Sequence, residues 1–197
     1  MSTEHDEQHS AVKVFWAEIP PSEHLVQIYE EDRVVLDALE GFIGGGLRAG
    51  DGVLVIATAV HLHALEERLT AQGVDVGVAR EREQYLPLDA EETLAQFMVS
   101  GWPDDDLFEH LVTNLLVRAR RHGQRVRAFG EMVAIMWAQG HNGATVRLEH
   151  LWHKMCQKEG LSLFCAYPRI GFTQDADASI RDICATHDRV VAGYIAL

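Results

Sequence analysis

Residues 42–63 read FIGGGLRAGDGVLVIATAVHLH, and the order of signals in this stretch decides the fold. Gly50-Asp51-Gly52 is a turn, and Val53–Ala57 is a continuous apolar, β-branched run. Such a run reads as a strand buried on both faces, the pattern of a parallel sheet. Upstream, Arg33 to Leu47 carries Val35, Leu39, Phe42, Ile43 and Leu47 at spacings of three and four, one apolar helical face whose end Gly44–Gly46 should weaken. Downstream, His61 to Ala71 repeats the pattern with Leu62, Leu65 and Leu69. A strand at His24–Tyr29 precedes all of this, so the chain opens strand, helix, strand, helix.

The alternation continues. Val74–Ala79 is expected as a weak strand and Gln84–Leu88 as another, with a helix over Ala90 to Val99. Trp102-Pro103 and Asp104–Asp106 open a long helix whose acidic first turn and basic end (Arg118, Arg120, Arg121) suit the helix dipole. Strands follow at Val126–Phe129, Leu161–Tyr167 and Val190–Ile195, with helices at Glu131–Ala138, Ala144–Lys158 and Asp175–His187. The expected fold class is α/β: three layers, a mostly parallel central sheet and helices on both faces. Residues 1–23 read as a polar, acidic lead-in interrupted by Pro20-Pro21, and 24–197 as a single domain. Phe15 and Trp16 suggest that residues 11–20 pack across a subunit boundary or cover a sheet edge.

The chain has 197 residues, 47% of them apolar and 24% charged, with a formal net charge of −13. That balance is globular, and its sign repels phosphate backbones and anionic lipid, so neither nucleic acid nor membrane is an expected partner. No apolar run approaches the roughly 20 residues of a bilayer span. The acidic start, Met1 to Ser10, does not read as a secretory signal. A cytoplasmic location is expected. Cys156, Cys165 and Cys184 have neither zinc-finger nor disulfide-framework spacing, and Cys165 reads as a small buried hydrophobe.

HLVQIYE, FIGGGLRAGDGVLVIAT, HLHALEERL, RAFGEMVAIMW, LEHLWHKM and LFCAYP occur in that order along the chain. The series resembles the MEDS sensory domain, a prokaryotic signal-transduction module named for methanogens, methylotrophs and a dichloromethane-responsive repressor. The resemblance runs from about His24 to the end. It implies a RecA-like fold related to circadian-clock ATPase domains and a role in sensing small hydrocarbon-type molecules. Family members are commonly attached to histidine kinases or DNA-binding regions; neither is expected within these residues.

The residues themselves test the ATPase alternative. A phosphate loop, GxxxxGK[ST], needs backbone N–H groups to cradle phosphate and a Lys to neutralise it. Ala57 to His63 offers no Gly and no Lys. Hydrolysis of ATP is not expected, although a RecA-like scaffold that binds nucleotide without hydrolysing it is the alternative reading. A small α/β enzyme, with Glu131 or a histidine as base, is a weaker one, because G-x-S-x-G is absent.

In parallel sheets, ligands bind beyond the carboxyl ends of the strands. His24, Tyr29 and Glu30 flank the first strand; Thr58 and His61 follow the second; Glu131 follows Val126–Phe129; Tyr167 ends Leu161–Tyr167. These seven are the candidate ligand contacts, with Thr58, His61, Glu131 and Tyr167 expected in one cleft. The bland readings are that the tyrosines fill the core margin and that Glu131 caps its helix. His150 and His153 could share a helical face with Glu149 beside them, but no zinc spacing accompanies them, and solvated helix surface is the expectation. No cofactor and no metal are expected. The partners anticipated are a small molecule and a signalling protein, either a kinase or a transcription regulator, or a second copy of the chain.

Overall fold

Strand β2 (Gly52–Ala57) is buried along its whole length between two neighbouring strands. In the computed structural model, which describes residue 16 and residues 19–120, 125–172 and 176–191, it pairs in parallel with β3 (Tyr85–Asp89) and β6 (Val126–Gly130). β6 pairs in parallel with β7 (Ser162–Pro168), β7 with β1 (His24–Tyr29), and β1 with the short β8 (Arg189–Val190). The result is a six-stranded, all-parallel sheet of order β3-β2-β6-β7-β1-β8. The continuous apolar runs follow directly from burial on both faces.

Strand side chains alternate, and each parity meets its own helices. Leu25, Tyr29, Val53, Val55, Ala57, Phe129 and Phe164 face one layer, built of α1 (Asp32–Ala49), α2 (Ala59–Ala71) and α3 (Val76–Glu81). Val26, Ile28, Leu54, Ile56, Ala128, Leu163, Cys165 and Tyr167 face the other. That second layer holds α4 (Ala90–Ala95), α5 (Asp105–Ala119), α6 (Met132–Ala138), α7 (Asn142–Glu159) and α8 (Ala176–Ala185). The α/β class expected from the run at Val53–Ala57 is what forms.

Three local expectations are corrected. Val74–Ala79 is not a strand: Asp75 accepts the Val78 N–H at 2.9 Å and nucleates α3 instead. The helix over Ala90 to Val99 stops at Ala95, and Met98–Val99 (β4) turns back on Trp102–Pro103 (β5) through Ser100 and Gly101, both at positive φ. Finally, α1 extends past Leu47, the end expected for it, to Ala49 and closes on Gly50 in the left-handed region.

The glycines within α1 serve packing. A Cβ on Gly46 would lie 2.9 Å from Arg127 Cδ, so the helix can lie this close to β6 only without one. Arg127 is buried there, donating to Asp51 Oδ2 at 2.8 Å and to the Trp16 carbonyl at 2.7 Å. Trp16 itself is buried against Phe42 and Phe164 of its own chain. This residue of the 11–20 segment therefore belongs to the domain's core rather than to a subunit boundary; residues 11–15, 17 and 18 lie outside the described residues. Of the expected final strand Val190–Ile195, only Val190 and Val191 are among the described residues, and Val190 lies in β8. Among the described residues no helix is long and apolar enough to cross a membrane.

Candidate functional site

The helices that follow β1 and β2 pack on one face of the sheet, and those that follow β3, β6 and β7 pack on the other. Neighbouring strands whose following helices diverge leave a crevice at their carboxyl ends. β2 and β6 make one such crevice, β7 and β1 a second.

At the β2/β6 crevice, Glu131 joins both strands. Its backbone N–H donates to the Ile56 carbonyl at 2.9 Å, and its Oε2 accepts the Thr58 N–H at 2.8 Å. Its Oε1 accepts from Nδ1 of His61 in a short contact. Thr58 caps α2 by accepting the His61 N–H at 3.4 Å, and His61 Nε2 lies 3.7 Å from Asp32 Oδ1. The pairing with Glu131, opposed by burial and reinforced by the charges of Glu131 and Asp32, raises the His61 pKa. Burial, then Glu131 and Asp32, push the Tyr29 hydroxyl up. Thr58, His61 and Glu131 are thus one hydrogen-bonded group, in which both carboxylate oxygens of Glu131 are already used; Tyr29 is buried in the same layer. Glu30 is exposed nearby and pairs at 3.7 Å with Arg169.

His24 and Tyr167 are elsewhere. They project from β1 and β7 into the opposite layer, so the single cleft expected for Thr58, His61, Glu131 and Tyr167 does not form. The reason is parity: each residue follows or ends a strand, but the side chains leave opposite faces. There the Tyr167 hydroxyl donates to Oε1 of Glu149, a carboxylate on α7 that is 5% exposed. Oε2 of Glu149 lies 3.3 Å from His24 Nε2, 3.4 Å from His187 Nε2 and 3.7 Å from Cys165 Sγ.

Reciprocal backbone bonds bring these residues together. The His24 N–H donates to Asp188 Oδ2 at 2.9 Å, while the Asp188 N–H donates to the His24 carbonyl at 2.8 Å. They pin the turn after α8 to β1 and stack His187 on His24 with ring centroids 4.1 Å apart. Burial alone would raise the Glu149 carboxyl, but the two imidazoles outweigh it and hold the group well below the usual carboxylate range. Burial lowers the His24 pKa more than Glu149 can restore; for His187, Glu149 outweighs burial and the pKa rises. Burial and the Glu149 charge drive the Cys165 thiol and the Tyr167 hydroxyl far up.

Outward from this cluster opens a cavity of about 310 Å³ between α6, α7 and α8. Trp137, Val146 and Ile183 give it apolar walls, Tyr167 and Glu149 reach it from the cluster, and His150 also lines it. Glu149 is the residue that sequence reading passed over as helix surface. Its signal was present: Thr145, Leu148, Glu149, Trp152 and Cys156 recur at helical spacing on the buried face of α7. A carboxylate on such a face must be paired inside the protein. His187 carried no local signal, because only the fold places it beside His24.

A family model described as MEDS, the methanogen/methylotroph, DcmR sensory domain, matches residues 23–188. No curated protein matches the chain.

Proposed function

Because the chain belongs to the MEDS family of sensory domains, we propose that it senses a small, weakly polar molecule seated in the cavity between α6, α7 and α8. The observation that carries this reading is the cavity itself. At about 310 Å³ it suits a compact ligand, its walls are largely apolar, and one buried carboxylate and one tyrosine hydroxyl converge on it. Of the seven anticipated contact residues, Tyr167 touches this ligand. His24 stands behind Glu149 and positions it. Thr58, His61 and Glu131 hold the β2/β6 crevice together, Tyr29 packs in the core of that layer, and Glu30 stays at the surface.

Nucleotide is a poorer fit. The turns beyond the strands bring Glu30-Glu31 after β1, Thr58 after β2, Asp89 at the end of β3 and Glu131 after β6. A carboxylate-rich edge with no phosphate-loop Lys repels a triphosphate. The signal passes to a kinase or transcription regulator, or to a second copy of the chain. α8 walls the cavity and leads into β8 at the sheet edge, so a ligand that draws α8 onto α7 changes an outer surface.

The test is a thermal-shift screen of short haloalkanes, alcohols and amines against the full chain, with MgATP alongside. A ligand at a hundredfold excess over its Kd stabilises by about 2.7 kcal/mol, a rise of roughly 5–10 °C for a domain this size. Val146→Trp, a change at the exposed cavity rim, should leave the basal Tm in place and abolish the shift. A shift given by MgATP alone, or one that survives V146W, would overturn the reading.

A further inference from the structure

We infer that His24, Glu149, Cys165 and His187 form a binding site for one divalent transition-metal ion of the zinc class. The four donor atoms, two imidazole nitrogens, one thiol sulfur and one carboxylate oxygen, all lie within 4.8 Å of one another, and all four residues are buried. This inference does not depend on what occupies the cavity outside.

The spacing fits a tetrahedral metal site. A tetrahedral ion with bonds of about 2.0–2.3 Å holds its donors about 3.3–3.7 Å apart. Four edges of the group match: 3.3 Å and 3.4 Å from Glu149 Oε2 to the two imidazoles, 3.4 Å from His24 Nε2 to Cys165 Sγ, and 3.7 Å from that sulfur to Oε2. The two nitrogen–oxygen edges are longer than charge-assisted hydrogen bonds, which run about 2.7–2.9 Å, while the two sulfur edges also lie within hydrogen-bond reach. Among the described residues His187 Nε2 has no hydrogen-bond partner of regular geometry.

The surrounding bonds orient the donors toward a common centre. His187 Nδ1 lies 2.7 Å from the Ile183 carbonyl. A carbonyl only accepts, so Nδ1 carries a proton and Nε2 is the ring atom turned toward Glu149. Nε2 and Oε2 face each other across 3.4 Å, a gap in which a bound cation would take the place of an Nε2 proton. The Tyr167 hydroxyl occupies Oε1 of Glu149 and leaves Oε2 as the single donor. A carbonyl behind a histidine and a hydroxyl behind a carboxylate are the supports that metal ligands require. Mixed nitrogen, sulfur and oxygen donors in a closed tetrahedral group suit Zn²⁺ over Mg²⁺ or Ca²⁺, which take oxygen alone. Binding would release the Cys165 proton, since only the thiolate ligates. Access runs through the cavity, which Glu149 lines.

The experiment uses the untagged full chain, reduced, stripped with a chelator and titrated with Co²⁺ and then with Zn²⁺. One Co²⁺ per chain should bind, giving a tetrahedral ligand-field spectrum and a thiolate-to-cobalt charge-transfer band that Zn²⁺ abolishes. Cys165→Ser should remove the charge-transfer band. His187→Gln should weaken binding at least tenfold, and Tyr167→Phe, which keeps the four ligands, by about 10–100-fold. His63→Ala, at an exposed position on α2, should change nothing. Circular dichroism establishes that each variant is folded. No stoichiometric binding by the folded chain, a spectrum without thiolate character, or affinity indifferent to both C165S and Y167F would overturn the site.

Discussion

The Tyr167 hydroxyl donates to one oxygen of Glu149, so that only the other oxygen of this buried carboxylate faces His24, Cys165 and His187. Both residues are within the layer of α4–α8, one on β7 and one on α7. Their bond separates an inner polar cluster from the outer cavity. Tyr167→Phe removes the hydroxyl and strands an ionised oxygen away from water. A hydrogen bond to a charged group contributes about 1.5–3 kcal/mol. Urea unfolding of the metal-free variant should show a loss of that size; a change below about 0.5 kcal/mol would mean that Glu149 is satisfied without Tyr167.

Asp51 neutralises Arg127 beneath α1. The guanidinium is nearly inaccessible and is held by Asp51, by the Trp16 and Phe42 carbonyls and by the face of the Phe42 ring. Asp51→Ala leaves that charge uncompensated and should cost about 3–5 kcal/mol. Adding Arg127→Met to it removes the buried charge and should recover much of the loss. Denaturation that ranks the double variant no better than D51A would contradict the pairing.

The glycines of α1 differ in what lies against them. A Cβ at Gly46 meets Arg127 Cδ at 2.9 Å and Val53 Cγ2 at 3.2 Å, whereas at Gly45 the nearest atom is 3.6 Å away. Gly45→Ala should therefore stabilise by up to about 1 kcal/mol through helix propensity. Gly46→Ala should destabilise, because Arg127 cannot yield without leaving Asp51. Equal effects at the two positions in thermal unfolding would disprove the close approach.

His61 makes stability pH-dependent. Its pKa is raised by the bond to Glu131, against burial and with help from Asp32. A folded-state pKa above the unfolded value means that the native state holds its proton longer. The contribution is fully present below about pH 6.5 and is lost as pH rises through the folded value. The stability difference between the chain and His61→Gln should shrink on moving from mildly acidic to alkaline buffer. A difference that grows with pH would show that the pair acts with the neutral ring.

The layers were legible in the sequence because strands buried on both faces carry apolar residues at every position, as Val53–Ala57 and Leu163–Tyr167 do. Positions after strand ends correctly singled out Thr58, His61 and Glu131 as neighbours. What failed was facing. Tyr167 lies next to the end of β7 and Glu131 just beyond β6, yet the two side chains depart on opposite sides, because a one-residue difference in register reverses the facing. The inner cluster was least legible. His24, Glu149, Cys165 and His187 come from β1, α7, β7 and the turn after α8, and no local spacing relates them. Asp75 shows the same limit at short range: a side-chain cap overrode the β-branched character of Val74, Val76 and Val78.

The central claim is that the cavity beside Tyr167 and Glu149 receives a small apolar ligand, and Trp137 in its wall reports on it directly. A brominated methane in contact with an indole quenches its fluorescence. Titration with dibromomethane should give a saturable quenching phase in the full chain and only a linear, collisional phase, from exposed Trp102, in Trp137→Phe. Quenching that is linear in the unaltered chain, or a saturable phase that persists in W137F, would contradict the account.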